Sequence, residues 1–284
     1  MIGVTGATGE VGGRLARRLM AVGADQRLIV RDPSRAPDVA GAEVAVIGGY
    51  DDPAGMRAAF AGLDVLFLAS AKEDENRLDL HYSAVDAAAE AGVGRVVYLS
   101  FLGAAPDTTF TFGRDHFHTE ERIKTSGLDY TFSRDSLYAD YAPLFVGADD
   151  VIRGPAGRGR FAPVTRDDVA GAVTEMLVGD GHAGATYSLT GPRTYDFTEL
   201  AALISELSGR SVSYHAETLE EARESRRPTG APAWEIEGWV TSYAVVAAGE
   251  LDIVSDDVRE LTGKGAADLA DFLRGYYAAG RRTP

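Results

Sequence analysis

The sequence predicts an α/β protein: a doubly wound parallel sheet followed by a smaller, mainly helical C-terminal lobe. Three observations predict it. Short apolar runs alternate with helical patterns through the first half, which is the signature of βαβ units. A glycine-rich turn joins the first run to the first helix. The second half is less regular, and its helical stretches are interrupted by prolines. Strands are expected at residues 1–5, 27–30, 43–47, 65–69 and 96–100, with helices at 12–22, 53–60 and 79–91. Ala91-Gly92-Val93-Gly94 supplies the glycine that a helix C-terminus favours. A helix over 116–125 ends at Gly127, and a sixth strand follows at 130–133. Further on, Thr165 is placed to cap a helix running to Leu177, with Asp168 three residues later. A strand at 185–189 precedes a helix at 198–207, capped by Thr198 or Asp196. Residues 219–250 read as mostly helical, broken at Pro228 and Pro232, and a last helix covers 266–277. The organisation expected is a core over 1–145 and a lobe over 146–284 that partly interleaves with the core sheet.

The chain has 284 residues, enough to bury a full core. No apolar run reaches the roughly 18 residues a membrane span needs, and the first residues read as a strand rather than a leader. A cytoplasmic protein without a membrane partner is therefore expected. The absence of cysteine removes disulfides, thiolate nucleophiles and cysteine-type zinc sites. With 28 basic and 43 acidic residues the formal charge is −15, which repels phosphate backbones. The best basic patch, Arg153, Arg158 and Arg160, lies in a Gly/Pro-rich stretch and reads as solvated arginines on a loop, so no nucleic-acid partner is expected.

Residues 3–13 contain Gly6-x-x-Gly9-x-x-Gly12 directly after a strand and at the opening of a helix. In that context one glycine permits the tight turn, another lets backbone approach a pyrophosphate, and the third lets helix pack on sheet. The helix N-terminus then offers unpaired N–H groups and a positive dipole end to phosphates. About twenty residues on, Arg31 follows the second strand, where a guanidinium takes the 2′-phosphate of NADPH. Asp32 is the competing reading, since a carboxylate there serves the ribose of NAD. Arg35, close behind, reads either as a second phosphate contact or as a solvated residue.

Thr5-Gly6-Ala7-Thr8-Gly9 with Arg31, Ser126-Gly127-Leu128-Asp129-Tyr130-Thr131 followed by Arg134, and Thr165-Arg166-Asp167-Asp168 together resemble the NmrA-like atypical short-chain dehydrogenase/reductases. Within that family the quinone-reducing and triphenylmethane-reducing members are nearest, and the likeness runs almost end to end. The resemblance implies a Rossmann core, NADPH across the strand ends, and a substrate cleft toward the C-terminal lobe. By position it implies cofactor contacts at Gly6, Thr8, Gly9, Glu10, Val11 and Arg31, with Ala69, Ser70 and Ser100 along the cofactor. Leu137 and Tyr138 fall where related proteins approach the nicotinamide. Gly12 completes the turn.

The resemblance also exposes a departure. Ordinary short-chain dehydrogenases carry Tyr-x-x-x-Lys, whereas this chain has His116 and Glu120 at those places. Hydride addition to a ketone leaves an alkoxide whose conjugate acid has a pKa of about 16, so an acid must be supplied. Addition to a quinone leaves a phenolate-like anion with a conjugate-acid pKa of about 10. The expected activity is therefore NADPH-dependent reduction of a quinone or similar conjugated aromatic acceptor. A non-catalytic dinucleotide sensor and a specialised biosynthetic reductase are the alternatives, and a homodimer is compatible with all three. His116 and Tyr138 are the candidate catalytic residues, against structural readings as a helix N-terminal residue and a buried aromatic. His116 and His118 diverge on a helix, so no metal site is expected. Trp234, Trp239 and Tyr243 read as core aromatics in preference to a stacking platform.

Overall fold

Residues 1–280 are described in a computed structural model. The elements in order are β1 (Ile2–Thr5), α1 (Glu10–Ala21), β2 (Gln26–Val30), β3 (Glu43–Val46), α2 (Pro53–Phe60), β4 (Val65–Leu68), α3 (Arg77–Glu90), β5 (Arg95–Phe101), α4 (Thr111–Thr125) and β6 (Asp129–Asp135). There follow β7 (Val151–Gly154), α5 (Arg166–Val178), β8 (Ala185–Leu189), α6 (Phe197–Ser208), β9 (Ser213–Ala216), α7 (Leu219–Arg226), α8 (Ala233–Ala247), α9 (Asp257–Thr262) and α10 (Leu269–Ala278). Short 3₁₀ segments occupy Pro33–Arg35, Ala139–Phe145 and Arg227–Thr229. The chain divides into two units. The first comprises Met1–Phe101, Asp115–Arg134 and Arg166–Ser188; the second comprises Leu102–Arg114, Asp135–Thr165 and, among the described residues, 189–280.

The first unit is built on a seven-stranded sheet in the order β3-β2-β1-β4-β5-β6-β8, the doubly wound Rossmann arrangement. The pairings of β1 with β2 and β4, of β2 with β3, and of β4 with β5 are parallel. The strand order therefore reverses between β1 and β4, and in such sheets ligands bind outside the carboxyl ends of the strands at that reversal. The central strands β1, β4 and β5 read as near-continuous apolar runs because both faces are covered. Met56, Phe60, Leu66, Val85, Val96 and Phe132 pack together in one core, each with essentially no exposed surface. Burying a side chain of that size contributes about 1.5–3 kcal/mol.

The helices begin where local chemistry dictates. Asp52 caps α2 by accepting from the Gly55 N–H at 2.9 Å, with Pro53 in the first turn, where its missing N–H costs nothing. α1 buries Leu15, Ala16 and Leu19, and it packs against α5. That contact carries an ion pair from Arg18 to Asp167 at 2.7 Å.

Unit two contains a two-stranded parallel sheet, β7 with β9. Its interior is aromatic: the Phe197 ring lies 5.0 Å from Phe161, 5.1 Å from Tyr243 and 5.4 Å from Tyr214. Gly154 is required beside it, since a Cβ there would sit 2.2 Å from the Tyr243 ring. Asp196 caps α6 in a reciprocal capping box with Glu199, which decides between the two caps considered. Helix α7 ends before Pro228 and α8 starts after Pro232, as the two prolines dictate.

Three readings of the sequence are corrected. β7, β9 and α9 were not expected. Arg153 lies in β7 rather than on a loop and is held at two points by Asp149, while Arg160 is bound by Thr194 and Glu199. Helix α4 begins at Thr111, because turns start from the Phe110 carbonyl, so His116 sits in its second turn and not at its start.

Candidate functional site

The carboxyl ends of β1, β2, β4 and β5 bring together most of the residues singled out in the sequence. Gly6 follows β1 with φ +61°, a left-handed conformation that glycine adopts without strain. A Cβ at Gly12 would stand 2.3 Å from the Gly6 carbonyl oxygen, so the helix can seat on the turn only if that residue lacks a side chain. A Cβ at Gly9 would meet the same oxygen at 3.2 Å. The turn closes through the Gly9 N–H donating to Gly6 O at 2.8 Å. Gly9 is the N-cap of α1 and has no side chain to cap it, which leaves the first-turn N–H groups open to an anion. Val11 is buried, and Thr8 and Glu10 are exposed. Glu10 pairs with Arg14, whose hydrogen bond holds its carboxyl below the usual range.

A cleft of about 250 Å³ opens beside this turn, lined by Thr8, Gly9, Glu10, Arg14, Arg17 and Arg35 among others. In a chain of charge −15 it gathers three guanidiniums around one carboxylate. Arg31 follows β2 and is exposed. The Asp32 carboxylate is engaged in its own turn, accepting from the Ser34 N–H at 3.0 Å and the Ser34 hydroxyl at 2.7 Å. Those bonds, the hydroxyl's first, hold its carboxyl below the ordinary aspartate range. Pro33-Ser34-Arg35 is thereby wound into a single 3₁₀ turn. The residue that argued for a ribose contact thus has a local structural role.

Past β4, the chain is held by side chains. The Ala69 N–H donates to Thr5 Oγ1 at 2.9 Å, and the Tyr50 hydroxyl donates to Ala69 O at 2.7 Å. Two residues on, the Ala71 N–H donates to His81 Nε2 at 2.8 Å, and Arg77 Nε donates to Ala71 O at 3.0 Å. Ser70 lies between them. A Cβ at Gly6 would stand 3.0 Å from Ala69 Cβ, so the glycine turn and this strap touch.

His116 lies behind the strap, 6% exposed. Arg77 Nη2 lies 3.0 Å from its Nε2, and Tyr98 OH lies 2.9 Å from its Nδ1. A guanidinium has only donors, so Nε2 accepts and the ring proton sits on Nδ1, donated to Tyr98. His81 follows the same logic: Nε2 accepts from Ala71, so Nδ1 donates to Thr119 Oγ1 at 2.8 Å, and Thr119 donates to Asp115 O at 2.6 Å. Burial, then the Arg77 charge, pushes His81 down to about 2 and His116 well below its usual value. Both rings are neutral. Glu120 is fully buried and accepts from Arg134 Nε at 2.8 Å and from the Ser100 hydroxyl at 2.6 Å. The side chains at the two places of an ordinary Tyr-x-x-x-Lys pair are therefore bound to partners within this unit.

Leu137 and Tyr138 belong to the second unit. There the Val164 N–H donates to Leu137 O at 3.1 Å. The Tyr138 hydroxyl donates to Asp135, which is 5% exposed, and its ring lies 6.0 Å from that of Tyr141. Trp234 packs edge-on against Phe112, and Tyr243 packs among Phe145 and Phe197. Among the described residues no group of three or more His, Asp or Glu side chains is placed to hold a metal ion, and no helix is long and apolar enough to cross a membrane.

Sequence reasoning missed Arg77, His81, Tyr50 and Tyr98. A signal existed for two of them: Arg77 and His81 stand at the spacing of Ala84, Val85 and Ala88, the buried face of α3.

A family model described as NAD(P)H-binding matches residues 6–179. The chain is 32% identical over 281 residues to quinone oxidoreductase 2 of Escherichia coli (strain K12), covering 96% of this chain and 97% of that protein. The crystal structure of the NADPH-dependent quinone oxidoreductase from Escherichia coli complexed with NADPH superposes with a TM-score of 0.89 at 29% identity, covering 98% of this chain and all of that one. The chain is 28% identical to the NAD(P)H azoreductase of Xenophilus azovorans over 98% of its length and 99% of the relative's. Citrobacter sp. triphenylmethane reductase complexed with NADP(H) matches with a TM-score of 0.83 at 29% identity, over 97% and 99% of the two chains.

Proposed function

Because the chain belongs to the NAD(P)H-binding family, as an NADPH-binding oxidoreductase of the NmrA-like atypical short-chain group, we propose that its acceptor is a quinone or a similarly conjugated aromatic molecule. One observation carries the proposal. The place of the usual catalytic tyrosine holds a neutral imidazole bound by Arg77 and Tyr98, and the place of the lysine holds a carboxylate bound by Arg134 and Ser100. Neither supplies the acid that an alkoxide needs. A phenolate-like product, with a conjugate-acid pKa of about 10, is finished by solvent. The names of the relatives, a quinone oxidoreductase and an azoreductase, support the same acceptor class.

The residues present fit the cofactor. The open N–H groups after Gly9, together with a Gly12 that leaves no room for a Cβ, form a cradle for a diphosphate. In this reading Gly6, Thr8, Gly9, Glu10, Val11 and Gly12 hold the diphosphate, Arg31 takes the 2′-phosphate, and Ala69, Ser70 and Ser100 line the remainder. When bound, the reduced nicotinamide supplies the hydride, which is the cofactor's own chemistry.

The test is a spectrophotometric panel. Purified protein with NADPH is expected to oxidise it in the presence of quinones or azo dyes, and not with simple ketones or aldehydes. Turnover of ketones, or none with any conjugated acceptor, would overturn the assignment.

A further inference from the structure

The strap Ala69–Ser70–Ala71 has an unusual pattern of hydrogen bonds. Every backbone polar group of Ala69 and Ala71 is taken by a partner: Thr5 and Tyr50 for the first, His81 and Arg77 for the second. Ser70, partly buried between them, makes no hydrogen bond to the described residues. Ser70 is thus left open to solvent or to a ligand, between two residues whose backbone groups are all taken. The strap also touches the glycine turn at Gly6.

The anchors are themselves anchored. Arg77 donates to His116 and His116 donates to Tyr98, while His81 donates to Thr119, which donates to Asp115 O. Since Arg77 and the Ala71 N–H have only protons to give, each proton in this chain has one direction.

We infer that Tyr50, Arg77, His81 and His116 are positioning residues for cofactor binding: they fix Ala69 and Ala71 so that Ser70 presents its unpaired groups to the cofactor. His116 acts through Arg77 and touches no reacting atom. The inference rests on the reading that this strap lines the cofactor, and it assigns the position of the usual catalytic tyrosine a mechanical role.

Fluorescence titration with NADPH, without acceptor, tests it. Tyr50→Phe and Arg77→Lys are expected to raise Kd by about five- to tenfold, roughly one buried hydrogen bond each. His116→Ala is expected to do the same, and His116→Gln, which retains an acceptor for Arg77 and a donor for Tyr98, is expected to restore binding. With a quinone acceptor, the His116→Ala loss is expected in KM for NADPH more than in kcat, and the pH profile of kcat between pH 5.5 and 8 keeps its shape. Tyr50→Phe conserves the ring, so a folded variant is available even if Arg77→Lys fails to fold, and thermal melts check each. Wild-type Kd in Tyr50→Phe, and in Arg77→Lys wherever that variant folds, would overturn the inference. So would a His116→Gln variant with unchanged Kd and a kcat lowered tenfold or more, which would make the imidazole a proton donor. A wild type that binds NADPH yet reduces no quinone refutes the acceptor assignment while the titrations still decide the strap. Wild type without NADPH binding overturns both.

Discussion

Glu120 and Arg134 form a two-point ion pair, Nε to Oε1 at 2.8 Å and Nη2 to Oε2 at 2.5 Å, with the carboxylate fully buried. A carboxylate removed from water is stabilised only while its partner and the Ser100 hydroxyl remain. Arg134→Ala leaves that charge uncompensated. It is expected to cost about 3–5 kcal/mol in urea unfolding. A loss under 1 kcal/mol would show that the pair is replaced by water.

Gly12→Ala asks for space that is not there. The new methyl would stand 2.3 Å from Gly6 O and 3.1 Å from the Ala7 Cα, both backbone atoms. The turn must move, so stability is expected to fall by about 1–3 kcal/mol, and NADPH affinity by tenfold or more. Equal affinity in a calorimetric titration would mean that the turn relaxes without losing its cradle.

Arg31→Ala separates the two nicotinamide coenzymes. A lost charge-assisted contact of about 1.5–3 kcal/mol predicts a KM for NADPH raised about ten- to a hundredfold, with KM for NADH almost unmoved. Equal effects on both would remove Arg31 from the 2′-phosphate. Arg35, in the neighbouring cleft, is then the next residue to replace.

Acid is expected to destabilise the protein before its carboxylates titrate. His81 and His116 are held below their usual pKa by burial and by Arg77. Unfolded chains take up protons on these rings as pH falls below about 6.5, and the native state does not. Stability is thus complete above that pH and declines below it, by up to about 1.4 kcal/mol per pH unit for each ring. Asp115, whose carboxyl burial raises, works in the opposite sense. Denaturation midpoints between pH 7.5 and 5 should fall, and less steeply in His81→Gln. Parallel slopes would refute the assignment.

The sheet and its glycine turn were legible because burial on both faces writes apolar runs, and the turn needs glycine at Gly6 and Gly12. The short strands Val151–Gly154 and Ser213–Ala216 were not, since each has only four residues without a clear alternation and exists through its partner, Val151 pairing with Ser213 and Gly154 with Ala216. The ambiguity at Asp32 had a readable answer: Asp-Pro-Ser favours a local turn that engages the carboxylate. The network around His116 was passed over because charged residues in a helix ordinarily face solvent, although Arg77 and His81 share the spacing of the apolar face of α3. Arg77 is buried among partners brought by other parts of the chain, His116, Asp115 and Ala71 O among them.

The chain passes repeatedly between its two units, so the first is finished only by residues that come after two of the second unit's three segments. A fragment ending near residue 145 would lack α5 and leave one flank of α1 bare. A single crossover between relatives within residues 102–188 is therefore expected to yield insoluble chimaeras. A graft of 102–114, 135–165 and the C-terminal stretch together keeps the first unit's own segments intact.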